Sequence, residues 1–74
     1  MKYNNGDRVE VSSEGGWKNS FIGTVSSEPQ LINTNMGPDL IYLVEFDEPQ
    51  QDINGPEEFY KAQILSCYIS RLIL

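Results

Sequence analysis

The chain contains no histidine and a single cysteine, Cys67. A disulfide within the chain is therefore excluded. A structural zinc site wants four nitrogen or sulfur ligands, which this composition cannot supply. Cys67 lies in the apolar run Ile64-Leu65-Ser66-Cys67-Tyr68. With no imidazole to activate it, a catalytic thiolate is not expected. Basic charge is also scarce: 5 Lys and Arg stand against 11 Asp and Glu, a net charge of −6. No Lys or Arg occurs between Lys18 and Lys61, a stretch that carries Glu28, Asp39, Glu45, Asp47, Glu48, Asp52, Glu57 and Glu58. Phosphate binding needs clustered Lys and Arg, because counterion release supplies most of the affinity. No direct nucleic-acid partner is expected. Nothing reads as a signal peptide or a membrane span, so no membrane partner is expected either. A lone reduced cysteine fits the cytoplasm.

What is present is a set of short β-branched and aromatic runs closed by turn residues. Residues 1–74 make one domain. Met1 to Asn5 reads as a polar lead-in. Asp7 to Ser12 reads as the first strand, with Val9 and Val11 inward and Arg8 and Glu10 outward. After the Ser13-Glu14-Gly15-Gly16 loop, Asn19 to Ser27 reads as the second strand. Gly23 inside it suggests a bulge or a sharp bend. Gln30 to Asn33 extends that strand past a kink at Pro29. Asn35-Met36-Gly37-Pro38-Asp39 is turn chemistry. Leu40 to Phe46 is the third strand, apolar on both faces. Asp47-Glu48-Pro49 ends it, since proline cannot continue a central strand, and a loop follows to Glu57. Glu58 to Ile64 is the fourth strand, alternating Tyr60, Ala62 and Ile64 against Phe59, Lys61 and Gln63. Leu65 to Tyr68 is one 3₁₀ turn, and Ile69 to Leu72 a short fifth strand. A chain this short hides its sheet edges by closing the sheet. The expected fold is all-β: a small five-stranded barrel over residues 6–73, with a single 3₁₀ turn before the last strand.

The residues also resemble a known superfold. Gly6-Asp7-Arg8-Val9-Glu10-Val11, Phe21-Ile22-Gly23-Thr24-Val25 and Tyr42-Leu43-Val44-Glu45-Phe46-Asp47 are similar to the first three strands of the SH3-like barrels of Tudor, Agenet and KOW modules. Tyr68-Ile69-Ser70-Arg71-Leu72 resembles their closing strand. The resemblance implies an SH3-like barrel and, from the Tudor side, an aromatic cage for a methylated cation. A second resemblance is carried by Gly6-Asp7-Arg8-Val9 and Ala62-Gln63-Ile64-Leu65. These are similar to segments of the plasmid-borne type II dihydrofolate reductases, in which Gln, Ile and Tyr from four chains line a pore. Gln63 and Ile64 match, and Leu65 stands where that family has tyrosine. That pore takes anionic ligands, for which a chain of net charge −6 is a poor host.

Three features carry candidate chemistry. Trp17 follows Gly15-Gly16 in a polar loop, a placement that suits a binding surface as well as a core cap. Phe46 and Tyr60 are further candidate ring surfaces, although such rings also build the core of any small barrel. Asp47, Glu48 and Glu58 supply acidic groups beside them. The acidic loop also offers oxygen ligands, but Asp52-Ile53-Asn54-Gly55 matches only a fragment of a calcium loop. Paired carboxylates need a concave groove, which a barrel of this size does not offer alone.

The expected function is a non-enzymatic protein-interaction module without cofactor or metal. It binds a peptide or a basic protein surface through Trp17, Phe46, Asp47, Glu48, Glu58 and Tyr60. The alternatives are an acidic nucleic-acid mimic that inhibits a DNA-binding protein, and a reductase-like oligomeric enzyme. A small acidic chain of this kind resembles bacterial accessory or mobile-element cargo. A homo-oligomer, most simply a dimer, is also expected. Ile41 and Leu43 oppose Tyr42, Val44 and Phe46 on one strand, and Ile69, Leu72, Ile73 and Leu74 end the chain. One barrel interior cannot cover all of them. The charge distribution makes a direct prediction. In an anisotropy titration, duplex and single-stranded nucleic acid should bind more weakly than the usual non-specific range of about 10⁻⁴–10⁻⁶ M. Micromolar, salt-sensitive binding would overturn it.

Overall fold

Alternation of valine with charged residues gives the first strand one apolar face. In a computed structural model that describes residues 2–72, Arg8–Val11 (β1) buries Val9 and Val11 completely and exposes Arg8 and Glu10. Five further strands follow: Phe21–Val25 (β2), Gln30–Thr34 (β3), Gly37–Gln51 (β4), Glu58–Leu65 (β5) and Ile69–Arg71 (β6). Single 3₁₀ turns occupy Ser13–Gly15 and Ser66–Tyr68. Every pairing is antiparallel. β1 lies between β2 and β6, and β2 lies between β1 and β4. β4 is the spine. Its first half pairs with β3 and its middle with β2 along one edge, while β5 takes the other edge.

The all-β class is as expected, but the strand count and closure are not. Among the described residues there are six strands, and their sheet curls into a half-barrel without closing. β5 and β6 share no ladder, because the chain passes between them through the Ser66–Tyr68 turn. The segment after Pro29 does continue along the edge of β4 that β2 occupies. It is nevertheless a separate strand, since Ser26 to Pro29 break the ladder.

The third expected strand proves far longer, running through Pro49 to Gln51. Proline is tolerated because the register slips there: Glu45 pairs with Lys61, and the next pair is Gln50 with Phe59. Residues 46–49 form a bulge opposite Tyr60, where no ladder hydrogen bond asks for the missing N–H. The slip also changes the phase of β5. Ile64 is buried and Ala62 packs on the core, but Tyr60 is 67% exposed, whereas Phe59 packs beside Trp17. The simple alternation expected for this strand therefore fails at its first residues.

Gly23 marks no bulge, since its pairings with Val9 and Phe46 are in regular register. It marks a close approach instead. A Cβ there would lie 2.6 Å from the Glu45 carbonyl oxygen and 2.7 Å from Val44 Cγ1. β2 can approach its neighbour β4 this tightly only without a side chain there.

The core is Val9, Val11, Phe21, Val25, Tyr42, Val44, Ile64 and Ile69, together with Tyr3. Tyr3 corrects the reading of the first residues as a polar lead-in. It is 4% exposed, and its ring meets Tyr42 edge-on at 5.5 Å. Its N–H donates to the Tyr42 hydroxyl at 2.9 Å, and its own hydroxyl donates to the Ile69 carbonyl at 3.0 Å. Ile41 and Leu43 are half-buried rather than bare. The exposed large apolar side chains are Ile22, Leu31, Met36, Ile53 and Tyr60. Ile73 and Leu74 lie outside the described residues. No helix among the described residues is long and apolar enough to cross a membrane. Because Tyr3 is core, Tyr3→Ala should cost about 3–5 kcal/mol by urea denaturation. Tyr3→Phe, which loses only the hydroxyl bond, should cost about 1 kcal/mol.

Candidate functional site

Local geometry brings Trp17 back over the sheet. The Ser12 hydroxyl accepts from Glu14 N–H at 3.1 Å and caps the first 3₁₀ turn. Gly16 then takes φ +102°, a left-handed conformation that glycine adopts without steric cost. The chain reverses and zips onto the end of β4. Lys18 N–H donates to the Gln51 carbonyl at 3.1 Å, and Ile53 N–H donates to the Gly16 carbonyl at 3.0 Å. The Trp17 ring thereby meets Phe21 and Phe46 at 5.3 Å and Phe59 at 5.9 Å, all edge-to-face. Phe21 and Phe46 touch at 4.4 Å. These rings pack on one another rather than around a gap, which is core packing and not a cation cage.

The other side of Trp17 lines a cleft of about 150 Å³ with Gly15, Gln63, Leu65 and Tyr68. A second cleft, of about 480 Å³, is lined by Met36, Pro38, Asp39, Leu65, Cys67 and Tyr68. Both clefts have Leu65 and Tyr68 in their walls, so they adjoin at these residues and together make a groove. Gly15 permits this shape: a Cβ there would meet the Tyr68 ring at 3.3 Å. Met36, at the tip of the β3–β4 hairpin, is 97% exposed.

One carboxylate lines the groove. Asp39 Oδ1 accepts from Ser66 Oγ at 2.6 Å and from Leu40 N–H at 2.8 Å. The Ser66 bond, then the Leu40 bond, hold this carboxyl below its usual range, so it stays ionised at neutral pH. Cys67 is exposed, against what its apolar neighbours suggest. Partial desolvation, and then the Asp39 charge, push its thiol up, so it remains protonated.

The six residues picked out from the sequence do not converge on one surface. Trp17 alone lines the groove, and Phe46 sits half-buried beneath it. Asp47 is held by Arg8 through bonds of 2.7 and 2.5 Å, which also lower its carboxyl pKa. Glu48 is exposed on the bulge, Tyr60 is exposed opposite it, and Glu58 pairs with Gln51 at the start of β5. Gln63 is exposed and lines the groove, while Ile64 beside it is 5% exposed in the core. Among the described residues no group of three or more His, Cys, Asp or Glu is placed to hold a metal ion.

Sequence reasoning missed Tyr68, Leu65, Met36 and Asp39 as neighbours. The turns that present them were legible, but their meeting depends on how the β3–β4 hairpin folds over the second 3₁₀ turn. No family model, no curated protein and no solved structure matches the chain. Trp17 is expected to act as structure as well as surface. Trp17→Ala should cost about 3 kcal/mol, read as a lower urea midpoint at unchanged slope.

Proposed function

We propose that this protein is a non-enzymatic interaction module of the SH3-like barrel type, and that it holds an extended basic peptide in the groove across Tyr68. One observation carries the reading. Two adjoining clefts with aromatic and apolar walls run from Trp17, over Tyr68, to Met36 and Pro38. Successive ridges and hollows of this kind suit an extended chain, which offers side chains alternately and loses little entropy on docking.

Charge supports a basic ligand. Asp39 is ionised within the groove and the chain carries a net charge of −6. Two of the five basic residues are already engaged, Arg8 with Asp47 and Arg71 with Asp7. Lys18 donates to Gln51 at 3.0 Å. This leaves little cationic surface to offset the acids. It also favours a protein ligand over nucleic acid.

The test is a titration of the labelled protein with extended peptides, each pairing Lys or Arg with Pro or Leu, followed by amide chemical shifts. Shifts should move at 34–39 and 63–68. Asp39→Asn should weaken binding about tenfold, and Met36→Ser should weaken it without altering the melting temperature. Equal affinity for acidic peptides, or shifts confined to 45–60, would overturn the reading.

A further inference from the structure

Among the described residues, the half-barrel leaves β3, β5 and β6 each with an unpaired outer edge. Open edges invite pairing with other chains, and charged side chains are the usual guard against it. β5 carries Glu58 and Lys61, and β6 is three residues long and carries Arg71. β3, Gln-Leu-Ile-Asn-Thr, carries none. From Pro29 to Pro38 no residue is charged, and this is the longest uncharged run in the sequence. A chain of net charge −6 repels its own copies, so contact between copies is favoured where the surface holds no charge.

The ladder shows which main-chain groups of β3 are free. Asn33 stands opposite Pro38, which has no N–H, so this pair is a non-hydrogen-bonded one. Antiparallel pairs alternate, so Gln30, Ile32 and Thr34 bond to β4, while Leu31 and Asn33 turn their N–H and C=O groups outward. Leu31 is 71% exposed. An antiparallel copy centred on Ile32 sets Leu31 opposite Asn33 of the partner subunit, and Asn33 opposite Leu31 of the partner subunit. All outward main-chain groups of these residues are then satisfied, and the contact is self-complementary, as a two-fold interface must be.

We propose that two copies of this chain join edge to edge through β3, antiparallel about a two-fold axis at Ile32, to make one continuous sheet. The strand meets the groove only at its last residue, Thr34, which lines the larger cleft, whereas the pairing residues Leu31 and Asn33 line neither cleft. Dimerisation that persists in Asp39→Asn separates this reading from the peptide one.

Sedimentation equilibrium of the full chain, from micromolar to millimolar concentration, tests it. A monomer–dimer equilibrium is expected, and added salt should strengthen it by screening repulsion between acidic copies. Leu31→Lys with Asn33→Lys should weaken dimerisation about tenfold or more, because the two-fold axis places the new charges against one another. Tyr60→Lys, at another exposed apolar position, should leave it unchanged. Wild-type hydrogen exchange gives a readout that does not depend on a variant folding: the Leu31 and Asn33 amides should slow as concentration rises. A monomer throughout in high salt, or exchange at these amides that ignores concentration, would overturn the proposal. So would a dimer that the lysine pair leaves intact.

Discussion

The buried pair of Tyr3 and Tyr42 is the contact on which the open sheet depends. Tyr42 lies fully buried at the middle of β4, the strand that touches β2, β3 and β5. An open half-barrel needs something to hold its far strands together, because β5 and β6 share no ladder. Tyr3 does this from the edge of the chain. It bonds the Tyr42 hydroxyl on one side and the Ile69 carbonyl of β6 on the other. Each polar atom brought inside finds a partner, so burial of the rings carries no unpaid desolvation. Arg71 lies over the outer side of the Tyr3 ring, 5.6 Å from its centre, and reaches Asp7 at 3.7 Å.

The second constraint is the close approach of β2 to its ladder neighbour β4 at Gly23, beside the bulge at 46–49. Phe21 and Phe46 touch next to this approach, and past the bulge Phe59 packs on the same Trp17 ring. Trp17 then caps three phenylalanines instead of standing free. The same ring becomes a wall of the groove, so one side chain serves both the packing and the cleft. Under the proposed peptide reading, an aromatic held in place in this way would lower the entropy cost of binding.

Charge is arranged to match. Arg8 is spent on Asp47 across the sheet, and Asp39 is fixed by Ser66 and Leu40. The acids without such partners face solvent and keep the surface negative. The β3 edge carries no charged side chain, and the groove near Tyr68 holds one carboxylate, Asp39.

The sequence by itself determined the all-β class, the inward valines of β1, the Ser66–Tyr68 turn and the acidic surface. Each follows from local alternation, turn chemistry or composition, which act over a few residues. It did not reveal Tyr3 as core, because a lone ring among polar residues has no periodicity to betray it. Nor did it reveal that β4 runs on through Pro49, since a proline is tolerated only where the partner strand slips its register. The candidate site was legible in one residue, Trp17. The pairing of Asp47 was not legible, because its partner, Arg8, lies 39 positions away. Tyr68, Met36 and Asp39 meet only when the β3–β4 hairpin closes over the second 3₁₀ turn. Such meetings are set by the curvature of the whole sheet and by contacts between distant strands, and no local pattern encodes them.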